Sequence, residues 1–294
     1  MPIDYRYHIG SFVAIFLALL LGILIGIGLA PNPEELNRVV AALKDEYRET
    51  RQSKEEELES LREANREYEL LSREAVSGLV AGRLSGLNVA IVLDHEFGRD
   101  PLPDRIRALM QQSGATLTST TTITRDFVTL PASVRQQVAR SFSLYPPPGV
   151  HFRTLIARAA AEDLVRGRSE LILGLHSAGL LRSTADSSYD VPVDTVLLVG
   201  GPNVQQDASP ERIDLPMIEE FTRLGVRVVG CEQRDAPISC IPVYKAKGIA
   251  TIDNADTLAG RLSIVLALAG ADGHFGVKDT ADRFIPDIPR LTTE

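Results

Sequence analysis

The chain has 294 residues, of which 44% are hydrophobic and 24% charged, and its 39 acidic and 31 basic residues give a net charge of −8. These proportions lie close to the averages of globular proteins, which excludes a disordered chain, a collagen-like fibre and a multi-span transporter. The acidic balance also argues against a basic surface for nucleic acid, so no nucleic-acid partner is expected.

The amino-terminal segment is strongly apolar. No residue from Ile9 to Ala30 is charged, and a helix of this length matches the hydrocarbon core of a bilayer. A cleavable signal peptide, the alternative, has a shorter apolar region and a basic start. The pattern therefore predicts an uncleaved membrane anchor in residues 1–33, with a transmembrane helix at about residues 9–30.

The charges on either side of this segment predict its orientation. Arg6 and the terminal amine precede the apolar run, whereas Glu34 and Glu35 follow it before any base appears. Because the more basic flank stays in the cytoplasm, the pattern favours a single-pass protein of the inner cell membrane. The amino terminus would then be cytoplasmic, and residues 31–294 would lie outside the cytoplasm.

Small residues recur at every fourth position of the apolar segment. Such a strip allows two helices to approach closely, which predicts a helix pair. The alternative is that glycine and alanine are simply frequent in membrane helices. The residues of the predicted interface are Gly10, Ala14, Ala18, Gly22, Gly26 and Ala30.

Residues 34–83 are predicted to form a long coiled-coil helix. No glycine or proline occurs between Glu34 and Ser77, and apolar residues follow a heptad that is interrupted at Lys54 and Glu57. A parallel homodimer explains this repeat, whereas the alternative is a helix that folds back on its own domain. The predicted seam includes Val40, Leu43, Tyr47, Leu61, Tyr68 and Leu71.

Residues 84–274 alternate between short apolar runs and amphipathic stretches. This alternation predicts a Rossmann- or flavodoxin-like α/β domain with a mostly parallel sheet, followed by an extended tail at 275–294. The predicted strands are Leu87–Leu93, Ala115–Ile123, Ser169–Leu175, Asp194–Val199, Val226–Cys231 and Ser239–Tyr244. The predicted helices are Asp104–Ser113, Pro131–Phe142, Gly149–Val165, Pro210–Gly225 and Asp256–Ala269.

Two loops that follow predicted strands are candidate sites, because ligands of such sheets bind beyond the carboxyl ends of strands. Asp94, His95 and Glu96 form a candidate metal or proton-transfer cluster, with a solvated strand exit as the alternative. Gly200, Gly201 and Asn203 form a candidate ligand loop, with a tight turn as the alternative.

Neither loop carries a phosphate-binding fingerprint, and the chain has no GxSxG motif. We therefore expect a protein that is not an enzyme.

The two cysteines, Cys231 and Cys240, allow three interpretations. In an exported domain they can form a disulfide, and in a cytosolic one they are more typical of buried thiols. The third interpretation is a copper site, since thiolates bind Cu(I) well.

The two ends of the chain resemble the MctB copper transporter family. The similarity is concentrated in IDYRYHIGSFVAIFLALLLGILIG (Ile3–Gly26) and FGVKDTADRFIPDIP (Phe275–Pro289). The resemblance implies an amino-terminal membrane helix and coiled coil joined to an α/β domain. It also implies a role in copper efflux or tolerance, and named members are described as outer-membrane channel proteins.

Copper is implied by this resemblance alone, because the Met, His and Cys residues are scattered without MxxM, HxxH or CxxC motifs. No set of metal ligands is therefore carried over from the family. Other members resemble envelope proteins linked to septation or sporulation. Two hypotheses follow: a copper-handling protein, or a non-enzymatic envelope scaffold with an envelope protein as partner.

Overall fold

The computed structural model describes residues 5–28, 33–202 and 210–288. The chain divides into two compact units, Met1–Glu69 and Leu70–Glu294. The described part of the first unit contains helix α1 (Tyr5–Gly28) and most of helix α2 (Pro33–Val80).

The predicted membrane anchor is wrong. Crossing a bilayer takes about 20 consecutive apolar residues. Among the helices of the described ranges, none combines that length with sufficient apolar character. The transmembrane helix predicted at residues 9–30 is therefore not found, and the single-pass inner-membrane topology that depended on it is not supported.

The small residues predicted to pair two copies lie on α1, except Ala30, which lies outside the described residues. Their role in self-association stays a prediction.

Helix α2 runs without a break from Pro33 to Val80, as expected for a segment without internal glycine or proline until Gly78. Proline suits its first position, where a backbone N–H would have no partner within the helix. The predicted seam residues, from Val40 to Leu71, are all exposed in the single chain. The coiled coil itself stays a prediction.

The second unit is a mixed α/β domain, as the alternation of strands and helices predicts. Its strands are β1 (Asn88–Leu93), β2 (Thr116–Ile123), β3 (Leu181–Ser183), β4 (Thr195–Val199), β5 (Arg227–Cys231), β6 (Ala250–Ile252) and β7 (His274–Phe275). Its helices, besides the end of α2, are α3 (Leu102–Gln112), α4 (Arg125–Thr129), α5 (Ala132–Ser141), α6 (Phe152–Arg166), α7 (Glu170–Ser177), α8 (Asp214–Arg223), α9 (Ile241–Lys245) and α10 (Leu258–Leu268).

The seven strands form one sheet in the order β3-β2-β1-β4-β5-β6-β7. Neighbouring strands are parallel except for the pair β2 and β3. The chain thus builds outward in one direction from β1 and in the other from β4. The boundary between β1 and β4 is a topological switch point, where doubly wound sheets bind their ligands.

Helices cover both faces of the sheet, so the central strands are buried on both sides. One hydrophobic core includes side chains of α6, α7 and α8 together with Ala90, Val92 and Val196. The other includes α3, α10 and the end of α2 together with Val89, Ile91 and Leu197. Alternate residues of β1 therefore point into different cores, as the pleat of a strand requires.

Two strand predictions are wrong. Ser169–Leu175 lies largely in helix α7, with Leu171, Ile172 and Leu175 buried. A short apolar run is compatible with a buried strand or a buried helix, and periodicity alone does not separate them. Ser239–Tyr244 leads into helix α9, where Pro242 sits in the first turn. Proline cannot donate to a sheet ladder but fits the start of a helix.

The short strands β3, β6 and β7 have no counterpart among the predicted elements. The predicted extended tail begins inside β7, at Phe275, and residues 289–294 lie outside the described residues.

Candidate functional site

The residues that follow β1 and β4 meet at the switch point. The backbone N–H of Asp94 donates to the Val199 carbonyl at 3.0 Å, and that of Gly200 donates to the Cys231 carbonyl at 2.8 Å. These bonds continue the parallel ladder past the strand ends. They hold Asp94 and Gly200 at the same edge of the sheet, although they are far apart in the chain.

Asp94, Asp214, Cys240 and Tyr244 form what we call the switch-point cluster. Asp94 follows β1, Asp214 is the first residue of α8, Cys240 precedes α9, and Tyr244 lies within α9. All of them are buried, with at most 2% of each residue exposed. One ligand atom from each of Asp94, Asp214 and Cys240 lies within 4.8 Å of the others. Three separate segments thus contribute potential metal ligands to one point.

Hydrogen bonds link these side chains. The Cys240 thiol donates to Asp94 Oδ2 at 3.5 Å, and the Tyr244 hydroxyl donates to Asp214 Oδ2 at 2.9 Å. The other carboxylate oxygen of Asp94 contacts Nδ1 of His95. The His95 ring stacks on Phe97 with ring centroids 4.0 Å apart. The cluster therefore contains two hydrogen-bonded pairs, Cys240 with Asp94 and Tyr244 with Asp214.

Burial raises the pKa values of the four groups in the cluster. It raises the pKa of Asp94, while the hydrogen bond and the charge of His95 act in the opposite direction. It raises the pKa of Asp214 well above its ordinary value, and the neighbouring Asp94 carboxylate raises it further. The pKa values of Cys240 and Tyr244 also rise through burial and the nearby carboxylates. These raised pKa values favour the protonated groups, so a cation would have to displace protons from them in order to bind.

Gly200 makes room for the cluster. A Cβ atom at this position would lie 2.8 Å from the Tyr244 hydroxyl oxygen, 3.1 Å from Asp94 Oδ2 and 3.1 Å from Cys240 Cβ. Gly201 has a positive φ of +93°, and a Cβ there would lie 2.8 Å from the Ala236 side chain. Gly200 therefore allows the backbone to lie close to the cluster, and the positive φ of Gly201 is compatible with the tight-turn interpretation.

The structure brings together several, but not all, of the predicted site residues. Asp94, His95, Cys240 and Gly200 meet at the switch point. Glu96, predicted with the first two, instead forms an ion pair with Arg182 at 2.8 Å. The predicted ligand-loop residue Asn203 lies outside the described residues.

The two cysteines do not share a site. Both are free and buried, so the disulfide interpretation is wrong. Cys231 belongs to the core that contains α3 and α10, whereas Cys240 belongs to the core on the other face of the sheet. Burial raises the pKa of Cys231 above its ordinary value. Cys231 is therefore a core thiol, and Cys240 alone joins the switch-point cluster.

Asp214 and Tyr244 are site residues that the sequence did not reveal. Asp214 stands at the start of a helix, where an acid is usually explained by favourable interaction with the helix dipole. Tyr244 is the largest fully buried side chain in the described ranges. Only their shared hydrogen bond at the sheet edge distinguishes them from ordinary cap and core residues.

The chemistry of the cluster favours binding over nucleophilic catalysis. A reactive cysteine has a low pKa, whereas burial and the nearby Asp94 and Asp214 carboxylates raise the pKa of the Cys240 thiol. His95 contacts Asp94 rather than the thiol. One sulfur and two carboxylates are, in contrast, ordinary ligand types for transition metals.

A comparison with known protein families identifies the family to which the chain belongs. The family model described as copper transport outer membrane protein, MctB, matches residues 2–286, nearly the whole chain. The chain belongs to the MctB family. The resemblance found at the two ends of the sequence is thereby confirmed.

Membership of the MctB family associates the chain with copper transport, and the family description names the outer membrane. MctB is a copper transport family and is not known as an enzyme family. Among curated proteins, none matches the chain.

Proposed function

We propose that this MctB-family chain handles copper and that the switch-point cluster binds the ion. The observation that carries the proposal is the meeting of Cys240 with Asp94 and Asp214, whose ligand atoms lie within 4.8 Å of one another. The cluster also lies at the switch point, where sheets of this type bind their ligands. The role is one of binding, in keeping with a family that is not known for enzymes.

The sulfur of Cys240 is the donor that favours a copper ion as cargo. Thiolates favour Cu(I), whereas carboxylates alone would favour harder ions such as Mg²⁺ or Ca²⁺. Cys240 is thus the residue that gives copper an advantage, and Asp94 and Asp214 supply negative charge beside it. Binding would release protons from these groups, since a metal ligand must be deprotonated.

Copper titration tests this proposal, with the other buried cysteine as the matched control. We expect the full chain to bind one Cu(I) in competition with a chromophoric chelator under reducing, oxygen-free conditions. Cys240→Ser should abolish this binding, whereas Cys231→Ser should preserve it, because Cys231 lies in the core on the other face of the sheet. Asp214→Asn should weaken it.

Equal binding by the wild-type chain and Cys240→Ser would contradict the proposal, as would the absence of saturable binding in the wild type. A parallel titration with Zn²⁺ distinguishes a site that prefers copper from one that accepts any thiophilic metal ion.

A second candidate function is a self-associating scaffold, in which α2 pairs with α2 of another copy. The supporting observation is the exposure of large apolar residues at the heptad positions of α2. Leu43, Leu61 and Leu71 are 59–66% exposed, and Tyr47 and Tyr68 are 71% and 69% exposed. A second copy in parallel register would bury these side chains. The two functions are compatible, since self-association uses α2 and copper binding uses the switch-point cluster.

A further inference from the structure

Beside the switch-point cluster lies an ion pair between a fully buried carboxylate and a lysine side chain that is 23% exposed. The side chain of Glu232, which follows β5, has an exposure of 0%, and its Oε1 accepts a 2.6 Å bond from the ammonium group of Lys278. Lys278 also donates to the Gln233 carbonyl at 3.3 Å. Burying a carboxylate costs free energy unless it is paired and fully hydrogen-bonded, so the pairing with Lys278 offsets the cost of burying Glu232.

Glu232 is also bonded to the turn that carries Cys240. Its Oε2 accepts from the Cys240 backbone N–H at 2.7 Å, and its Oε1 accepts from the Ser239 hydroxyl at 2.6 Å. The position of the Cys240 backbone, and hence of its sulfur, is therefore set by a carboxylate outside the set of potential ligands.

The carboxy-terminal segment delivers Lys278 to this carboxylate. After β7, Gly276 has a φ of +144°, and a Cβ there would lie 1.8 Å from Asp253 Oδ1. The buried Asp253 carboxylate accepts from the backbone N–H groups of Val277 and Lys278 at 2.8 and 2.9 Å. These bonds turn the chain so that Lys278 reaches inward. The sequence Gly276-Val277-Lys278, which lies in the segment that resembles the family's closing sequence, thus brings the Lys278 side chain to Glu232.

We propose that Lys278 is a positioning residue for Cys240 and acts through Glu232. This inference rests on the proposed copper site and adds that the carboxy-terminal segment keeps the thiol in place. Without the ammonium group, the Glu232 carboxylate is left buried and unpaired. Burying a carboxylate without its counter-charge is costly, so the Glu232 side chain turns toward solvent and its bond to the Cys240 backbone weakens.

Thiol reactivity and metal affinity together test the inference. Lys278→Met should increase the alkylation rate of Cys240 in the folded, metal-free chain at least about tenfold, while Cys231 in the same chain serves as an internal reference. Its affinity for Cu(I) should fall about 10- to 100-fold, the usual effect of losing a group that orients a metal ligand. Lys278→Arg, which retains the positive charge, should restore most of both properties.

Lys245→Met is the matched control. Lys245 also tethers the carboxy-terminal segment, through 2.9 Å contacts to the Thr280 carbonyl and Asp282, but within the described residues it makes no hydrogen bond or ion pair with Glu232. It should leave Cys240 reactivity and copper affinity unchanged. If Lys278→Met fails to fold, as judged by circular dichroism, Lys278→Gln takes its place in the same comparison.

The outcomes separate this inference from the copper proposal. If the wild-type chain binds no copper but Lys278→Met still exposes Cys240 selectively, the copper proposal fails and the positioning role stands. If Cys240 reactivity is unchanged in the folded variant, or if Lys245→Met has the same effect, the positioning role is overturned whatever the copper titration gives.

Discussion

Cys231 and Cys240 lie on opposite faces of the β-sheet, although they are only nine positions apart in the chain. Cys231 ends β5 and points into the core formed with α3 and α10. The chain then crosses the sheet edge and places Cys240 in the other core, next to Asp94. Of these two cysteines, which are close in the sequence, Cys231 therefore packs in a core and Cys240 lies in the candidate site.

This division predicts two free thiols, even under oxidising conditions. Neither thiol is accessible in the folded chain, since Cys231 is 0% and Cys240 1% exposed. Mass spectrometry after alkylation should find little labelling in the native protein and two labels per chain after unfolding without a reductant. Recovery of a Cys231–Cys240 disulfide peptide would contradict the predicted arrangement.

Substitution of Gly200 should damage both the fold and the site. Alanine would place its methyl group against Tyr244, Asp94 and Cys240, and such overpacking lowers the free energy of unfolding by about 1–3 kcal/mol. Urea denaturation measures this loss, and copper titration should show weaker binding. The control is Gly78→Ala in α2, where a Cβ meets nothing within 4 Å. This control should raise stability by up to about 1 kcal/mol, and an equal loss in both variants would argue against the steric explanation.

His274 should make stability depend on pH. Burial lowers the pKa of its imidazole below the ordinary 6.5, and the charge of Lys245 lowers it further. The unfolded chain therefore binds more protons at this residue, so the free energy of unfolding falls as the pH drops from 6.5 through the folded-state pKa. Above the unfolded value, His274 adds no slope.

The variant His274→Gln isolates this effect. It also loses the 2.9 Å hydrogen bond to Thr251, which shifts stability at every pH, so the slope is the diagnostic quantity. Urea denaturation between about pH 5 and pH 8 should show a shallower loss of stability on acidification than in the wild type. Identical slopes would show that the imidazole does not contribute.

Self-association through α2 should depend on the heptad positions. The double variant Leu43→Asp with Leu71→Asp should sediment as a monomer, whereas the wild type should sediment as a dimer, because charges at a and d positions oppose burial of the seam. Val39→Asp with Leu70→Asp is the matched control. These residues are similarly exposed, at 56% and 53%, but lie off the seam. Dissociation of both double variants would point to a general effect of added charge.

Local sequence patterns were informative wherever short-range interactions decide the structure. The continuous helix α2 followed from the lack of internal helix breakers, and β1, β4 and β5 followed from apolar runs typical of strands buried on both faces. The same reasoning failed for Ser169–Leu175 and Ser239–Tyr244, where neighbouring elements decide whether an apolar run becomes strand or helix. It also failed for residues 9–30, whose apolar run predicted a membrane span that the structure does not support.

By itself, the sequence determined the order of most helices and strands and the family. It also identified Asp94, Gly200 and Cys240 as candidate site residues. Only the tertiary structure decided that Asp214 and Tyr244 join them, that Glu96 and Cys231 do not, and that Lys278 supports Cys240 through Glu232. The physical reason is that a parallel sheet gathers the ends of distant strands at one edge. Which side chains meet there depends on the strand order, and no local pattern encodes that order.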